Sequence, residues 1–205
     1  MHITEGILSA PILAGGGVLA AAGVTIGLRA MRDEDIPKTA VLTAAFFVGG
    51  LVHLPLGVAS VHLVLNGLMG ILLGWAAFPA VLVALTLQAV LFRYGGLTTL
   101  GVNTLVMAVP AVLSYHLLVP ILRRSRRPSV LFGAGCAAGV IGIAFGSLLA
   151  SGALALSSRE FLGVAGLFFA AHAPLMVVEG MITGGLVCFL WRLKPELFRE
   201  RGRSL

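Results

Sequence analysis

Three nitrogens stand together at the start of the chain: the α-amine of Met1, the backbone amide of His2 and the His2 imidazole. Bound to one ion they close a five-membered and a six-membered chelate ring, the tetragonal nitrogen arrangement that suits Ni(II), Cu(II) and in some settings Co(II). An initiator methionine is trimmed only ahead of small residues, so the bulky His2 is expected to leave Met1 and its amine in place. A histidine on a frayed terminus is by itself more often an ordinary exposed residue. A metal site here therefore needs a fourth donor, and elements that hold the terminus against it.

Composition says what those elements are. Of 205 residues, 59% are hydrophobic, 11% are charged and 27 are glycine, and apolar runs longer than about 18 residues recur along the chain. The expected class is all-α, a polytopic membrane protein. The runs are continuous rather than alternating, which argues against a transmembrane barrel, and a soluble core of this hydrophobicity would lack a surface. No Lys or Arg precedes the first apolar run and Glu5 lies there instead, so the first helix is expected to persist in the mature protein.

Hydropathy and helix-breaking residues predict seven spans, at 11–31, 38–57, 62–75, 77–93, 100–122, 129–151 and 161–192. They form a single transmembrane domain over 1–205, with 1–10 as an extracytoplasmic segment and 193–205 as a basic cytoplasmic tail. At the helical rise per residue the third span is short, about 20 Å, and the last long, about 48 Å. A bend is expected in the last at His172-Ala-Pro174, because proline removes a backbone donor and disfavours helix just before it.

Charge predicts the orientation. With the N-terminus outside and the C-terminus inside, twelve of the fourteen basic residues fall on the inner side, leaving only Arg93 and Arg159 outside. Membrane orientation thus accounts for the net charge of +6 without nucleic acid, and the basic tail lies next to lipid. The same topology gathers His53 and His62 around the first outer turn, Asn103 at the start of the fifth span and His172 at the start of the last stretch. Asn66, Gln88 and Glu179 lie deeper. A carboxylate within lipid costs about 2.5 to 3.5 kcal/mol on insertion scales, so Glu179 is expected to face the bundle interior and have a partner. Helix-to-helix hydrogen bonding is the simpler role for Asn66 and Gln88, and a structural one for His116.

Several chemistries are absent from the sequence. Gly95-Gly96 and the Leu-Thr-Thr-Leu-Gly101 that follows have no Lys and no preceding strand, so they make a connecting or re-entrant turn and not a phosphate loop. Gly16, Ala20, Gly23 and Gly27 form a stripe of small residues that permits close helix contact, within the bundle or with another subunit. Cys136 and Cys188 lack the spacing of a zinc or redox pair. No H-E-x-x-H, G-x-S-x-G or Walker pattern occurs, and no catalytic constellation is legible, so neither an enzyme nor an ATPase is expected in this chain.

Four separated motifs, in order along the whole chain, carry a family resemblance: Met1-His-Ile-Thr-Glu-Gly-Ile-Leu-Ser9, Ser60-Val-His62 with Asn66-Gly67, Gly95-Gly-Leu-Thr-Thr-Leu-Gly-Val-Asn103, and His172 through Glu179-Gly-Met-Ile-Thr183. Together they resemble the CbiM/NikM family, the substrate-capture subunits of energy-coupling factor importers for cobalt and nickel. The resemblance implies a seven-helix protein whose N-terminal segment tucks into the outer mouth of the bundle. It implies a near-planar four-nitrogen site, with three nitrogens from Met1 and His2 and the fourth from His62. Asn103, His172 and Glu179 match positions around that pocket, where they would steady the ligands or order the loops. Thr4 and Glu5 stand where the family usually has Pro and Asp, and Ala59-Ser60-Val61-His62 replaces a Gly-rich Thr-Ser-Gly-His.

The function so implied is capture of Co2+ or Ni2+ from the outer side of a prokaryotic cell membrane, the metal being cargo and no cofactor being required. Partners implied are a transmembrane coupling subunit and two cytoplasmic ATPases, with a small accessory membrane subunit either separate or absent. A different class of function would be a secondary transporter coupling protons through Glu179 and the histidines. That transporter would move substrate without ATPases and tolerate an extended N-terminus.

Overall fold

The computed structural model describes residues 2–51, 53–56 and 59–198, with 53–56 and 59–62 described by their backbone alone. Met1 and the side chain of His62, two of the expected ligands, lie outside the described residues. Helices α1 (Ala10–Ala30), α2 (Ile36–Gly49), α3 (Asn66–Leu73), α4 (Ala77–Phe92), α5 (Leu100–Arg124), α6 (Pro128–Ser157), α7 (Leu162–Ala171) and α8 (Ala173–Leu193) make the bundle. A two-stranded antiparallel hairpin, β1 (His53–Leu56) and β2 (Ala59–His62), joins α2 to α3.

Among the described residues, five helical runs are by length and composition alone long and apolar enough to cross a membrane: Ala10–Ala30, Asn66–Phe92, Leu100–Arg124, Pro128–Ser157 and Arg159–Leu193. The differences from the expected seven have local causes. The second expected span, 38–57, is helical only to Gly49, because the chain then turns into the hairpin. The third, expected over 62–75, begins as a helix only at Asn66, its first residues being strand and a left-handed Leu65 at φ 56°. It meets α4 through a 3-10 turn, Gly74–Ala76, where Gly74 has φ +58°, a value open to glycine. The expected bend in the last stretch is a break: α7 stops at Ala171 and α8 restarts at Ala173, with Pro174 in its first turn.

Glycine packing orders the helices. A Cβ on Gly16 would collide with Val102 of α5, one on Gly23 with the Phe78 ring of α4, and one on Gly27 with the carbonyl of Trp75. The small-residue stripe of α1 is therefore occupied inside the fold. Along α3, Asn66 donates to the Met107 carbonyl, while a Cβ on Gly70 or Gly74 would meet Ala111 or Tyr115 of α5, so α3 runs parallel to α5. With Trp75 against Gly27 and Phe78 against Gly23, α4 runs back antiparallel to α1. The chain thus reverses at the 74–76 turn. Between α6 and α8, Gly135 and Gly139 leave room only for the backbone of Gly184 and Glu179, and this close approach places Glu179 in the middle of the bundle.

Buried amides tie the layers together. Asn66 Nδ2 bonds the carbonyls of Met107 at 3.4 Å and Gly142 at 3.1 Å, linking α3 to α5 and α6. Gln88 Nε2 donates to the Phe47 carbonyl at 3.1 Å, holding the end of α2 to α4. At one end of the bundle, Ser9 lies against Ser157, Glu5 against Thr98 and Ile3 against Asn103. At the other, Ala30, Arg32, Gly74, Arg123 and Glu196 line one cavity. Beside it Asp35 receives Lys38 at 3.6 Å and the more distant Arg32 at 3.9 Å.

Candidate metal centre

The N-terminal segment is docked into the bundle rather than frayed. Ile3 is fully buried and His2 is 3% exposed. The side chain of Asn103, in the first turn of α5, closes both backbone bonds of Ile3: the Ile3 N–H donates to Oδ1 at 2.9 Å, and Nδ2 donates to the Ile3 carbonyl at 3.0 Å. Nδ2 also reaches the Thr99 hydroxyl at 3.1 Å, which in turn donates to the Gly96 carbonyl at 3.3 Å. A carboxamide presents one donor and one acceptor in a plane, as a peptide group does, so it can pair with a backbone as a strand would.

The loop before α5 is shaped for this contact. Gly95 and Gly96 have φ of +75° and +148°, conformations that side chains with a Cβ rarely take. A Cβ at Gly95 would lie 3.0 Å from Asn103 Nδ2 and 3.6 Å from His2 Cβ, and one at Gly96 would collide with the Glu5 side chain. Glu5 accepts from the Thr98 N–H at 2.9 Å and from its hydroxyl at 3.2 Å. The Thr98 backbone N–H holds the Glu5 carboxyl below its usual range against an opposing loss of hydration, with lesser help from the Thr98 hydroxyl and the Leu97 N–H. Ser9 N–H donates to Ser157 Oγ at 3.2 Å, fixing the far end of the segment to α6.

The second component is the hairpin and its exit. Its register pairs His53 with His62, Leu54 with Val61, Pro55 with Ser60 and Leu56 with Ala59. Immediately after β2, the fully buried Glu179 accepts N–H bonds from Val64 and Leu65, the latter at 3.0 Å to Oε1 and 3.1 Å to Oε2. The carboxylate thereby caps a backbone that a left-handed Leu65 turns into α3. Charge-assisted bonds to backbone N–H groups are about twice as strong as neutral ones, and they satisfy a carboxylate that lipid would otherwise penalise.

His172 lies at the α7–α8 break, fully buried. Its Nδ1 is 2.7 Å from the Phe168 carbonyl, and its ring packs on that of Phe168 with centroids 4.3 Å apart. That bond requires the proton on Nδ1 and leaves the lone pair on Nε2, which has no partner among the described residues. The structure thus brings His2 and Asn103 together through Ile3 and attaches Glu179 to the segment that follows His62. It makes no bond from His172 to either group. Among the described residues no group of three or more His, Cys, Asp or Glu is gathered to hold a metal ion. The donors expected of Met1 and His2, an amine, an amide and an imidazole, are of another kind. Their neighbour Ile3 is held in place with no side-chain ligand of its own.

The partners Thr98, Thr99 and Gly95-Gly96 surround the docked segment; sequence reasoning read them as a connecting turn and as part of a family motif, with no individual role for any of them. The Gly95-Gly96 pair, separated from Thr98-Thr99 only by Leu97 and followed by Asn103 in the first turn of α5, is the signal that pointed to them.

Nearly the whole chain aligns with known transport proteins. The family model for the cobalt uptake substrate-specific transmembrane region matches residues 2–197. A Haemophilus influenzae protein named for metal transport is 43% identical over 201 residues, covering 98% of both chains. The cobalt transport protein CbiM of Sorangium cellulosum is 30% identical, over 96% of this chain and 94% of its own. The fused nickel transport protein NikMN of Rhodobacter capsulatus is 33% identical over 98% of this chain and 65% of its own length. A crystal structure of a truncated transition metal transporter superposes with a TM-score of 0.79 at 26% identity, covering 94% of this chain and 99% of that one. With the docked terminus, the helical bundle and these matches in agreement, this chain belongs to the CbiM family of cobalt and nickel transport membrane proteins.

Proposed function

We propose that this chain is the substrate-binding membrane subunit of an energy-coupling factor importer, an ABC-type system, and that it captures Co2+ or Ni2+ at the outer face of a prokaryotic cell membrane. The observation that carries the reading is the two-bond hold of Asn103 on Ile3, which fixes the backbone next to His2. A chelate built on a chain terminus gains affinity when the terminus is ordered before the metal arrives, because the ordering entropy is then not charged to binding. The ligands are the Met1 amine, the His2 amide and imidazole, and His62. Asn103, Glu179 and His172 steady them, and protons leave the donors as the site forms.

In this reading the chain makes seven passes with the N-terminus outside. α2 and α3 both reach the inner cavity at one end and are joined by the hairpin at the other, and the basic end faces the cytoplasm. Energy comes from partners: a transmembrane coupling subunit and two cytoplasmic ATPases. Nitrogen donors order affinity as Cu(II) above Ni(II) above Co(II), so geometry and supply, not affinity alone, select the cargo.

The test is calorimetric binding of Ni(II) and Co(II) to the purified protein with its native start, confirmed by intact mass, beside a variant with one residue added before Met1. Tight binding only with the native start is the expected result. Equal binding by both forms overturns the terminal chelate and with it this assignment of ligands.

A further inference from the structure

We propose that a cavity at the end of the bundle opposite the docked N-terminal segment binds the phosphate head group of an anionic phospholipid. This site is independent of the metal ligands. The cavity measures about 730 Å3 and adjoins the one lined by Glu196, with Arg123 and Phe198 lining both. Its size lies within the range of about 300 to 1,000 Å3 usual for small-ligand sites. Arg123 and Arg124 come from the last turn of α5 and Arg126 from the link to α6. Trp191 comes from the last turn of α8, and Phe198 from the 3-10 turn after it. Three guanidinium groups from one connection thus share a cavity with two aromatic rings.

The donor chemistry suits a phosphate. A guanidinium presents a planar fork of N–H groups that matches two phosphate oxygens, and it gives up water more readily than an ammonium does. All three cations lining the cavity are arginine, and no acidic side chain lines it among the described residues. Around the adjoining cavity, Glu34 is paired with Arg32 and Asp35 with Lys38, so those carboxylates already hold cations of their own. Arg123 and Arg124 also offset the dipole at the C-terminus of α5. Arg126 stands beyond the cap at Ser125 and is not placed for that role.

The surface beside the cavity selects a lipid over a free phosphate ion. Leu117, Pro120, Ile121 and Arg124 fall at i, i+3, i+4 and i+7, on one face of α5, and all four are exposed. Pro120 and Arg124 line the cavity as well. An apolar lane therefore runs along the helix and ends at an arginine, the order in which a phospholipid presents its acyl chain and its phosphate. Trp191 is half-buried, with its ring 5.2 Å from that of Phe198, which is 3% exposed. An indole, apolar in body and carrying one N–H, suits the boundary between acyl chains and head groups. Basic pockets between membrane helices bind anionic head groups by this combination of charge and depth.

Trp75 and Trp191 are the two tryptophans of the chain, so Trp75→Phe leaves Trp191 as a fluorescent reporter inside the site. The full chain with that substitution is placed in phosphatidylcholine vesicles containing increasing phosphatidylglycerol, one lipid at a time being brominated on its acyl chains. Quenching of Trp191 then gives the relative affinity of the two lipids. Phosphatidylglycerol should be preferred about 5- to 25-fold, the gain from one or two arginine contacts at a membrane surface. The double variant Arg124→Gln with Arg126→Gln should bring the preference close to parity. Arg126→Lys, which keeps the charge and loses the fork, should lower it part of the way. Arg192→Gln with Lys194→Gln removes equal charge from residues that do not line the cavity, and should leave the preference intact. Thermal melting in pure phosphatidylcholine checks the fold, and Arg126→Lys carries the test if the double variant melts early. The proposal is overturned if the two lipids quench equally, if the cavity variants keep the preference, or if the Arg192 and Lys194 pair lowers it as much as they do. Loss of the preference on adding millimolar inorganic phosphate would show an ion pocket and overturn the lipid as its occupant.

Discussion

Asn103 closes both backbone hydrogen bonds of Ile3 across a sequence separation of 100 residues, and its amide is buried at 2% exposure while doing so. Removing it strands two buried peptide groups, each a loss of about 1 to 3 kcal/mol if water cannot replace the bond. Asn103→Ala should therefore leave the bundle folded but free its N-terminal segment. Ni(II) and Co(II) affinity should fall about 10- to 100-fold, as for groups that orient ligands, with accelerated amide exchange at Ile3 and unchanged exchange in the middle of α6. Asn103→Asp keeps the acceptor and loses the donor, so it should fall between wild type and alanine. Unaltered metal affinity in Asn103→Ala would sever the docking from the binding.

The loop opposite makes a steric prediction. Gly96→Ala places a methyl group into the Glu5 side chain at a φ of +148°, and both clash and backbone strain oppose docking, the strain alone costing about 1 to 3 kcal/mol. Metal affinity should drop by at least about tenfold. The double variant Gly96→Ala with Glu5→Ser should regain only the share due to the clash. A full recovery by Glu5→Ser would show that the glycine conformation is dispensable, and calorimetry on the four proteins of the cycle separates the two.

Helix positions were far more legible in the sequence than the site they frame. Spans expected at 77–93, 100–122 and 129–151 correspond to Ala77–Phe92, Leu100–Arg124 and Pro128–Ser157, because long apolar runs bounded by charge and proline leave little choice. The stretch 51–65 misled for the opposite reason. Leu51 to Leu65 is apolar with two histidines, and a short apolar run does not distinguish helix from strand. The hold of Asn103 on Ile3 is non-local, so no window of the sequence displays it. His2 and Asn103 were both identified by their chemistry, but the residue that links them, Ile3, has no polar side chain to attract notice.

Acid should act on this segment through Glu5. Its carboxyl sits below the usual value of 4.5 because Thr98 donates to the ionised form, so the stabilisation is present above the ordinary carboxylate range and is lost as pH falls through the lowered value. Exchange at the Thr98 amide should accelerate only below about pH 4.5, and Glu5→Gln should abolish that acid step. With the proposed ligands, metal affinity near neutral pH should follow the amine and imidazole protons instead. Its slope with pH there should be the same in wild type and Glu5→Gln. A changed slope at neutral pH would mean that Glu5 exchanges protons with the metal donors.

Glu179 offers the sharpest separation of position from charge. Its two oxygens accept the N–H groups of Val64 and Leu65, and each bond to a charged acceptor is worth about 1.5 to 3 kcal/mol. Glu179→Gln keeps the volume and one acceptor but turns a donor amide toward N–H groups that need acceptors. It should lower the melting temperature and loosen the hairpin, with faster exchange at Leu65, and reduce metal affinity about 10- to 100-fold without removing a ligand. Glu179→Asp, one methylene shorter, keeps the charge and loses the reach. If Glu179→Asp binds metal like wild type, charge alone matters and the capping geometry does not. If both variants lose affinity in step with the exchange rate at Leu65, the carboxylate acts on the metal through the backbone that leads out of His62.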